Sequence, residues 1–257
     1  LFAFTLLYYL YMSRQIVILA AGKGTRMASP IPKVLIPLRG KPVIKYLLDE
    51  VAGIEQDSKP IIVIGFMSEL VKEELGAEFL YALQTDQFGT GHAVLEARPQ
   101  VTAENFIVLY GDMPFVTAES LQKLIDLHEH NKAKISMFTA IVPNYEGVYE
   151  HFKGFGRIIR DDNSHIAKIQ EFADSSEEQK AITEVNPGIY MFNSEWVWPQ
   201  LEKVGNSNAQ GEVYLTDIVE LAIQDGQKIE SLPIAPEEIY GINTPDHLAH
   251  AQTLVEQ

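Results

Sequence analysis

Residues 15–27 read QIVILAAGKGTRM, and the fold turns on where the apolar run stops and on the small residues behind it. Residues 15–20 (QIVILA) are short, apolar and β-branched, which suits a central parallel strand buried on both faces. From the end of the run, small residues at Ala20, Ala21, Gly22 and Gly24 let backbone approach a phosphate and turn its amides inward, and Leu19, Ala20, Ala21 and Gly22 are the candidate nucleotide contacts here. Arg26 and Lys33 then add mobile positive charge. Two familiar phosphate loops do not fit. A dinucleotide fingerprint needs a third small residue where Met27 stands and an acid about twenty residues on, whereas no acid precedes Asp49. The G-x-x-x-x-G-K-[ST] loop is also absent. A tight turn with surface charges is the plain alternative.

Outward from that turn the pattern alternates. Residues 43–51 read as a helix, 60–64 (PIIVI) as a strand, and 68–75 as a helix with Ser68 as N-cap and Glu69 in its first turn. Residues 105–110 (NFIVLY) read as another strand, followed after Thr117 by an amphipathic helix to about His130. These intervals predict a doubly wound, mostly parallel α/β sheet. The second half changes character. Residues 135–142, 156–160, 165–170 and 184–192 read as strands with short turns, which predicts antiparallel hairpins forming a lid over the sheet. Residues 213–222 are expected to be helical, and Thr244-Pro245-Asp246 opens a closing helix.

The chain has 257 residues and a formal net charge of −15. That charge argues against sequence-independent binding to nucleic acid or to an anionic membrane surface. Before Asp49 there are only cations: Arg14, Lys23, Arg26, Lys33, Arg39, Lys41 and Lys45, a run that predicts neutralisation of a small polyanion such as a nucleoside triphosphate. With no cysteine, a metal must sit on oxygen or imidazole, and a reducing, cytoplasmic setting is compatible. Residues 1–11 (LFAFTLLYYLY) are too short to span a bilayer and lack a basic leader; they are read as an extension, leaving residues 12–257 as one domain.

Three further stretches carry chemistry. Residues 84–93 read QTDQFGTGHA, and a primary amide such as Gln84 can donate to a uracil carbonyl and accept from its N3–H, which cytosine cannot match. Gly89 and Gly91 flank Thr90 so that backbone can meet a base edge; His92 reads as structural. Asp112, in YGDMP, sits at the carboxyl end of an apolar strand, where ligands bind in open α/β sheets. Residues 154–157 read GFGR, Glu171 and Asn186 follow, and Asn243 stands in GIN.

In this order, over residues 12–257, these motifs resemble the sugar-nucleotide pyrophosphorylases, and within them the N-acetylglucosamine-1-phosphate uridylyltransferase domain of a bacterial bifunctional enzyme. The resemblance implies a Rossmann-like nucleotide-diphospho-sugar transferase fold, UTP and a sugar-1-phosphate as substrates, and Mg²⁺ as cofactor. It assigns Gln84, Gln87, Gly89 and Thr90 to the nucleotide, Asp112 and Asn243 to the metal, and Gly156, Glu171 and Asn186 to the sugar. Arg26 and Lys33 are then expected to stabilise charge on the transferring phosphate. Tyr214-Leu215-Thr216-Asp217 also resembles the family but reads as helix start and packing. Pro187 stands where the family commonly has Thr or Ser, which removes a hydroxyl and an N–H beside the expected sugar pocket. Another hexose-1-phosphate, dTTP or CTP as nucleotide, and a catalytically silent nucleotide-sugar-binding regulator remain open. The family's bifunctional members carry a β-helical acetyltransferase for which no hexapeptide periodicity occurs here, so acetyl transfer is not expected.

Overall fold

The computed structural model describes residues 13–255; the apolar run at residues 1–11 lies outside them. The first half comprises β1 (Arg14–Leu19), β2 (Pro37–Leu38), β3 (Lys41–Pro42), α1 (Val43–Val51), β4 (Ile61–Ile64), α2 (Ser68–Leu75), β5 (Leu80–Leu83), α3 (Thr90–Ala97), β6 (Asn105–Tyr110) and α4 (Ala118–Asn131). The second comprises β7 (Ile135–Ile141), β8 (Gly156–Arg160), β9 (Ile166–Gln170), α5 (Glu177–Lys180), β10 (Glu184–Asn186), β11 (Tyr190–Asn193), α6 (Ser194–Leu201), α7 (Asp217–Gln224), β12 (Ile229–Pro233) and α8 (Pro245–Leu254). Apart from the small β2–β3 ribbon, the described strands form one sheet in the order β5-β4-β1-β6-β11-β7-β10-β8-β9, with β12 along β7. None of the described helices is long and apolar enough to cross a membrane.

The run that decides the fold lies at the centre, with β4 and β6 both parallel to β1. Ile16 and Ile18 join a core with Val43, Leu47, Leu121 and Leu124 from α1 and α4. Val17 and Leu19 join a second core, with Val94 and Val197 from α3 and α6. Each such side chain contributes about 1.5–3 kcal/mol on leaving water. The turn after β1 therefore rests on the least yielding part of the molecule.

Several elements differ from the sequence reading. Ser68 is the first helical residue of α2 rather than its cap, because Met67, at φ +50°, precedes it. No clear alternation marks β5 and β12 in the sequence, and their pairing with β4 and β7 makes them strands. α7 begins at Asp217, after residues that are instead tied to the α3 entrance: Val213 N–H donates to Phe88 O (2.7 Å) and Gly91 N–H to Val213 O (2.9 Å).

The largest departure is at residues 184–192, where one strand is expected and two are found. β10 and β11 are both antiparallel to β7, and Phe138 N–H donates to Ile189 O (3.2 Å) across the break. Pro187 has no N–H to give a ladder. Gly188 sits at φ +80°, and a Cβ there would lie 2.6 Å from the Tyr110 ring, so only glycine fits. Asn186 caps the excursion: its Oδ1 accepts from Gly188 N–H (3.0 Å) and its Nδ2 donates to the Tyr190 hydroxyl (2.8 Å). Across the break the outer partner changes, β11 pairing with β6 and β10 with β8. The sheet forks there. The β8–β9 hairpin expected as a lid continues the sheet through β10, and its start at Gly156 walls one side of the fork.

Candidate active site

A cleft of about 330 Å³ opens at the carboxyl ends of β1 and β6. Residues 19–22 form one wall and Gln84, Gln87, Gly89 and Thr90 the opposite one. Lys33, Asp112 and Asn243 close its floor. The sequence-predicted nucleotide and metal residues are thus brought together from five segments of chain.

The base-side wall is braced from behind. Gln84, only 4% exposed, donates from Nε2 to Gly89 O (3.1 Å), and the same nitrogen lies 3.0 Å from His92 Nδ1. Gln87 is exposed, and its Nε2 donates to Ala21 O (2.8 Å), tying the base loop to the phosphate turn. Gly89 has φ +107°, and a Cβ there would meet Val213 O at 2.6 Å, so this glycine makes room for the residues before α7. Thr90 Oγ1 accepts from Leu215 N–H (3.2 Å).

On the floor, Lys33 Nζ lies 2.5 Å from Asp112 Oδ2 and 2.9 Å from Asn243 Oδ1. Among the described residues no three His, Cys, Asp or Glu side chains gather as a metal cage. Two oxygens do converge, however, with the Lys33 ammonium between them. One carboxylate and one amide oxygen fit a hard cation that keeps its other positions for water and phosphate. Arg26 is exposed at the rim, donating to Asn243 Oδ1 (3.2 Å), and faces the neighbouring cleft with His151, Tyr240 and His247.

The loop that carries Asn243 is held through three successive amides. Gly241 N–H donates to His151 Nε2 (3.2 Å), Ile242 N–H to Asp112 O (2.8 Å), and Asn243 N–H to His247 Nδ1 (3.3 Å). Burial, with His247 next in effect, holds the His151 imidazole down to about 3, so it stays a neutral acceptor.

A second cleft, about 210 Å³, occupies the fork and shares Thr90, Tyr110 and Glu212 with the first. It brings Gly156, Glu171 and Asn186 together as the sequence predicts. Burial pushes the Glu171 carboxyl up, and the Thr216 hydroxyl, donating to Glu171 Oε1 (2.8 Å), pulls it back. Thr216 therefore does more than start a helix. Arg157 of GFGR is fully buried and points away from the sugar cleft's polar groups, donating to Lys153 O and Lys180 O and lying over the Tyr145 ring. It braces the turn that carries Gly156.

Sequence reading misses Thr216, Tyr110, His151 and His247 as parts of the site. Tyr110 and Thr216 stand inside motifs whose chemistry is carried by neighbouring residues. Nothing local marks His151, which receives an amide from Gly241 far along the chain, or His247, which turns back onto Asn243 N–H four residues earlier only as the loop folds.

Residues 16–187 match the MobA-like NTP transferase domain. The chain is 42% identical over 250 residues to the bifunctional protein GlmU of Geobacillus thermodenitrificans, covering 95% of this chain and 52% of that protein. It is 41% identical over 248 residues to the GlmU of Heliobacterium modesticaldum, at 95% and 52% coverage. The chain thus spans about half the length of these relatives. A UDP-glucose pyrophosphorylase complexed with UDP-glucose superposes with a TM-score of 0.74 at 18% identity, covering 95% of this chain and 99% of that one. A CMP:2-keto-3-deoxy-manno-octonic acid synthetase complexed with CTP gives 0.67 at 16% identity, with the same coverages. These two share the fold and differ in the base they hold, so the fold does not choose the base. The family match, the identity to GlmU and the paired clefts agree: the chain belongs to the sugar-nucleotide pyrophosphorylase family of nucleotidyltransferases.

Proposed function

We propose that this chain forms UDP-N-acetylglucosamine and pyrophosphate from UTP and N-acetylglucosamine-1-phosphate. The observation that carries the reading is the pair of clefts meeting at Thr90 and Tyr110, one floored by Lys33, Asp112 and Asn243 and the other lined by Glu171 and Asn186. A sugar phosphate in the second cleft faces the α-phosphate of a triphosphate in the first. Its phosphate is already an oxyanion, so no side chain has to act as nucleophile or base. An oxygen of the sugar phosphate bonds to the α-phosphorus as the bridge to the β-phosphate breaks, and pyrophosphate leaves.

The protein's contribution is placement and charge. Lys33 and the amides of residues 20–22 meet the triphosphate, with Arg26 arriving from the rim. Asp112 and Asn243 would hold a Mg²⁺ ion, which when bound neutralises and orients the phosphate oxygens. With Nε2 of Gln84 committed to Gly89 O and His92, its Oε1 is the atom that accepts from uracil N3–H. The second N–H of Asn186 is the donor available to an acetamido carbonyl, since Tyr190 takes the first.

A matrix of UTP, CTP and dTTP against N-acetylglucosamine-1-phosphate and glucose-1-phosphate, read as pyrophosphate release with and without Mg²⁺, tests the reading. Highest kcat/KM is expected for UTP with N-acetylglucosamine-1-phosphate. No release with any pair would make the chain a silent binder; better use of glucose-1-phosphate would remove the sugar assignment and leave the nucleotidyltransferase.

A further inference from the structure

His92 and Glu96 stand on α3 behind the base wall, outside any step of the reaction. Glu96 Oε1 lies 3.2 Å from His92 Nε2. A carboxylate at Nε2 keeps the ring proton on that nitrogen and leaves Nδ1 as an acceptor. His92 Nδ1 in turn lies 3.0 Å from Gln84 Nε2, and Gly89 O accepts from the same nitrogen at 3.1 Å. Both groups in contact with the Gln84 amide nitrogen are then acceptors, and the amide can satisfy them in one orientation. Turned over, it would set its own oxygen against two lone pairs.

We infer that His92, oriented by Glu96, is a specificity-determining residue: it makes Gln84 present oxygen to the base, so that uracil is accepted and cytosine refused. This rests on the reading of Gln84 as the residue that meets the base. Uracil N3 carries a proton for that oxygen, whereas cytosine N3 is itself an acceptor and would leave two buried acceptors face to face. The opposite amide orientation would suit cytosine. Gly89 O is a fixed acceptor and the Glu96–His92 pair adds the second, so that together they set which nucleotide the glutamine reads, and neither His92 nor Glu96 lines the cleft.

The test is the ratio of kcat/KM for UTP over CTP, with the thermal midpoint recorded alongside. Glu96, 39% exposed at its side chain, is the cleaner lever. In Glu96→Lys a donor faces Nε2, the ring proton moves to Nδ1, and the ratio is expected to fall about tenfold at an unchanged midpoint. Glu96→Gln can still accept from Nε2–H and should keep the ratio within about twofold. His92→Leu should lower the ratio like Glu96→Lys, while His92→Asn, whose Oδ1 reaches where Nδ1 stood, should restore it. If the wild type prefers UTP and Glu96→Lys keeps that preference, the inference is overturned while the uridylyltransferase reading stands. If the wild type uses CTP as well as UTP, the base reading of Gln84 falls and the inference with it.

Discussion

The two clefts are walled in opposite ways. The phosphate wall, residues 19–22, continues from the end of β1 without interruption and rests on two apolar layers. The wall of the second cleft, proposed to hold the sugar, takes Gly156, Glu171, Asn186 and Thr216 from four separate segments, and they meet because the sheet forks at Pro187 and Gly188. The first wall depends on buried area, which is hard to disturb with one exposed change. The second depends on a backbone excursion that one methyl group can disturb. Substitutions should therefore separate the walls kinetically.

The largest effect is expected on the floor of the first cleft. Asp112→Asn should lower Mg²⁺-dependent pyrophosphate release by on the order of 10²–10³ while the thermal midpoint holds, since the side chain keeps its shape. A loss below about threefold would take Asp112 out of the site. Lys33→Ala should cost about 10², and exposed Arg26→Ala only about tenfold, both in kcat more than in KM if they act on the transition state. Equal losses would mean that the rim cation reaches the phosphate as closely as the floor cation does.

Gly188→Ala is the sharpest test of the comparison. Its positive φ and the clash with Tyr110 predict a stability loss of about 1–3 kcal/mol and a KM for the sugar phosphate raised about tenfold, with the KM for UTP within about twofold. A parallel rise in both constants would mean that the walls are not independent. Smaller again is His151→Phe, which keeps the packing against Phe152, Phe155 and Tyr240 but removes the acceptor for Gly241 N–H. Faster amide exchange at Gly241 and a Mg²⁺ requirement raised about threefold are expected, with His151→Gln restoring both. The least effect belongs to Pro187→Thr. Pro187 lies off the hydrogen-bond ladder, in the turn between β10 and β11, so sugar preference should change by no more than about twofold. A larger change would show that the departure at Pro187 had altered the pocket.

Much of this was legible because it was local. The strand at residues 105–110, the helix at residues 43–51 and the helix after Thr117 follow from apolar period; in the structure Thr117 Oγ1 also caps the last of these, accepting from Ser120 N–H. The place of Asp112 just past the carboxyl end of a strand was legible as well. Charge was a weaker guide. Of the cations before Asp49, Arg14 pairs with Glu129, Lys41 with Asp49 and Lys45 with Glu74, all away from the cleft, whereas Lys33 and Arg26 reach Asn243. A count of charges cannot see which partners the fold supplies from later in the chain.

By itself the sequence determined the doubly wound half, the phosphate turn and the identity of the groups that could meet a nucleotide sugar. Those depend on period, turn chemistry and residue type, all of which act within a few residues. Only the tertiary structure decided that residues 184–192 break into two strands, that Arg157 braces a turn, and that His92 Nδ1 lies 3.0 Å from Gln84 Nε2. It also decided that the Lys33 ammonium lies between Asp112 and Asn243. The Lys33 contacts join segments far apart in the chain, and even the shorter-range ones, such as His92 with Gln84 eight residues before it, form only when packing fixes the backbone between them.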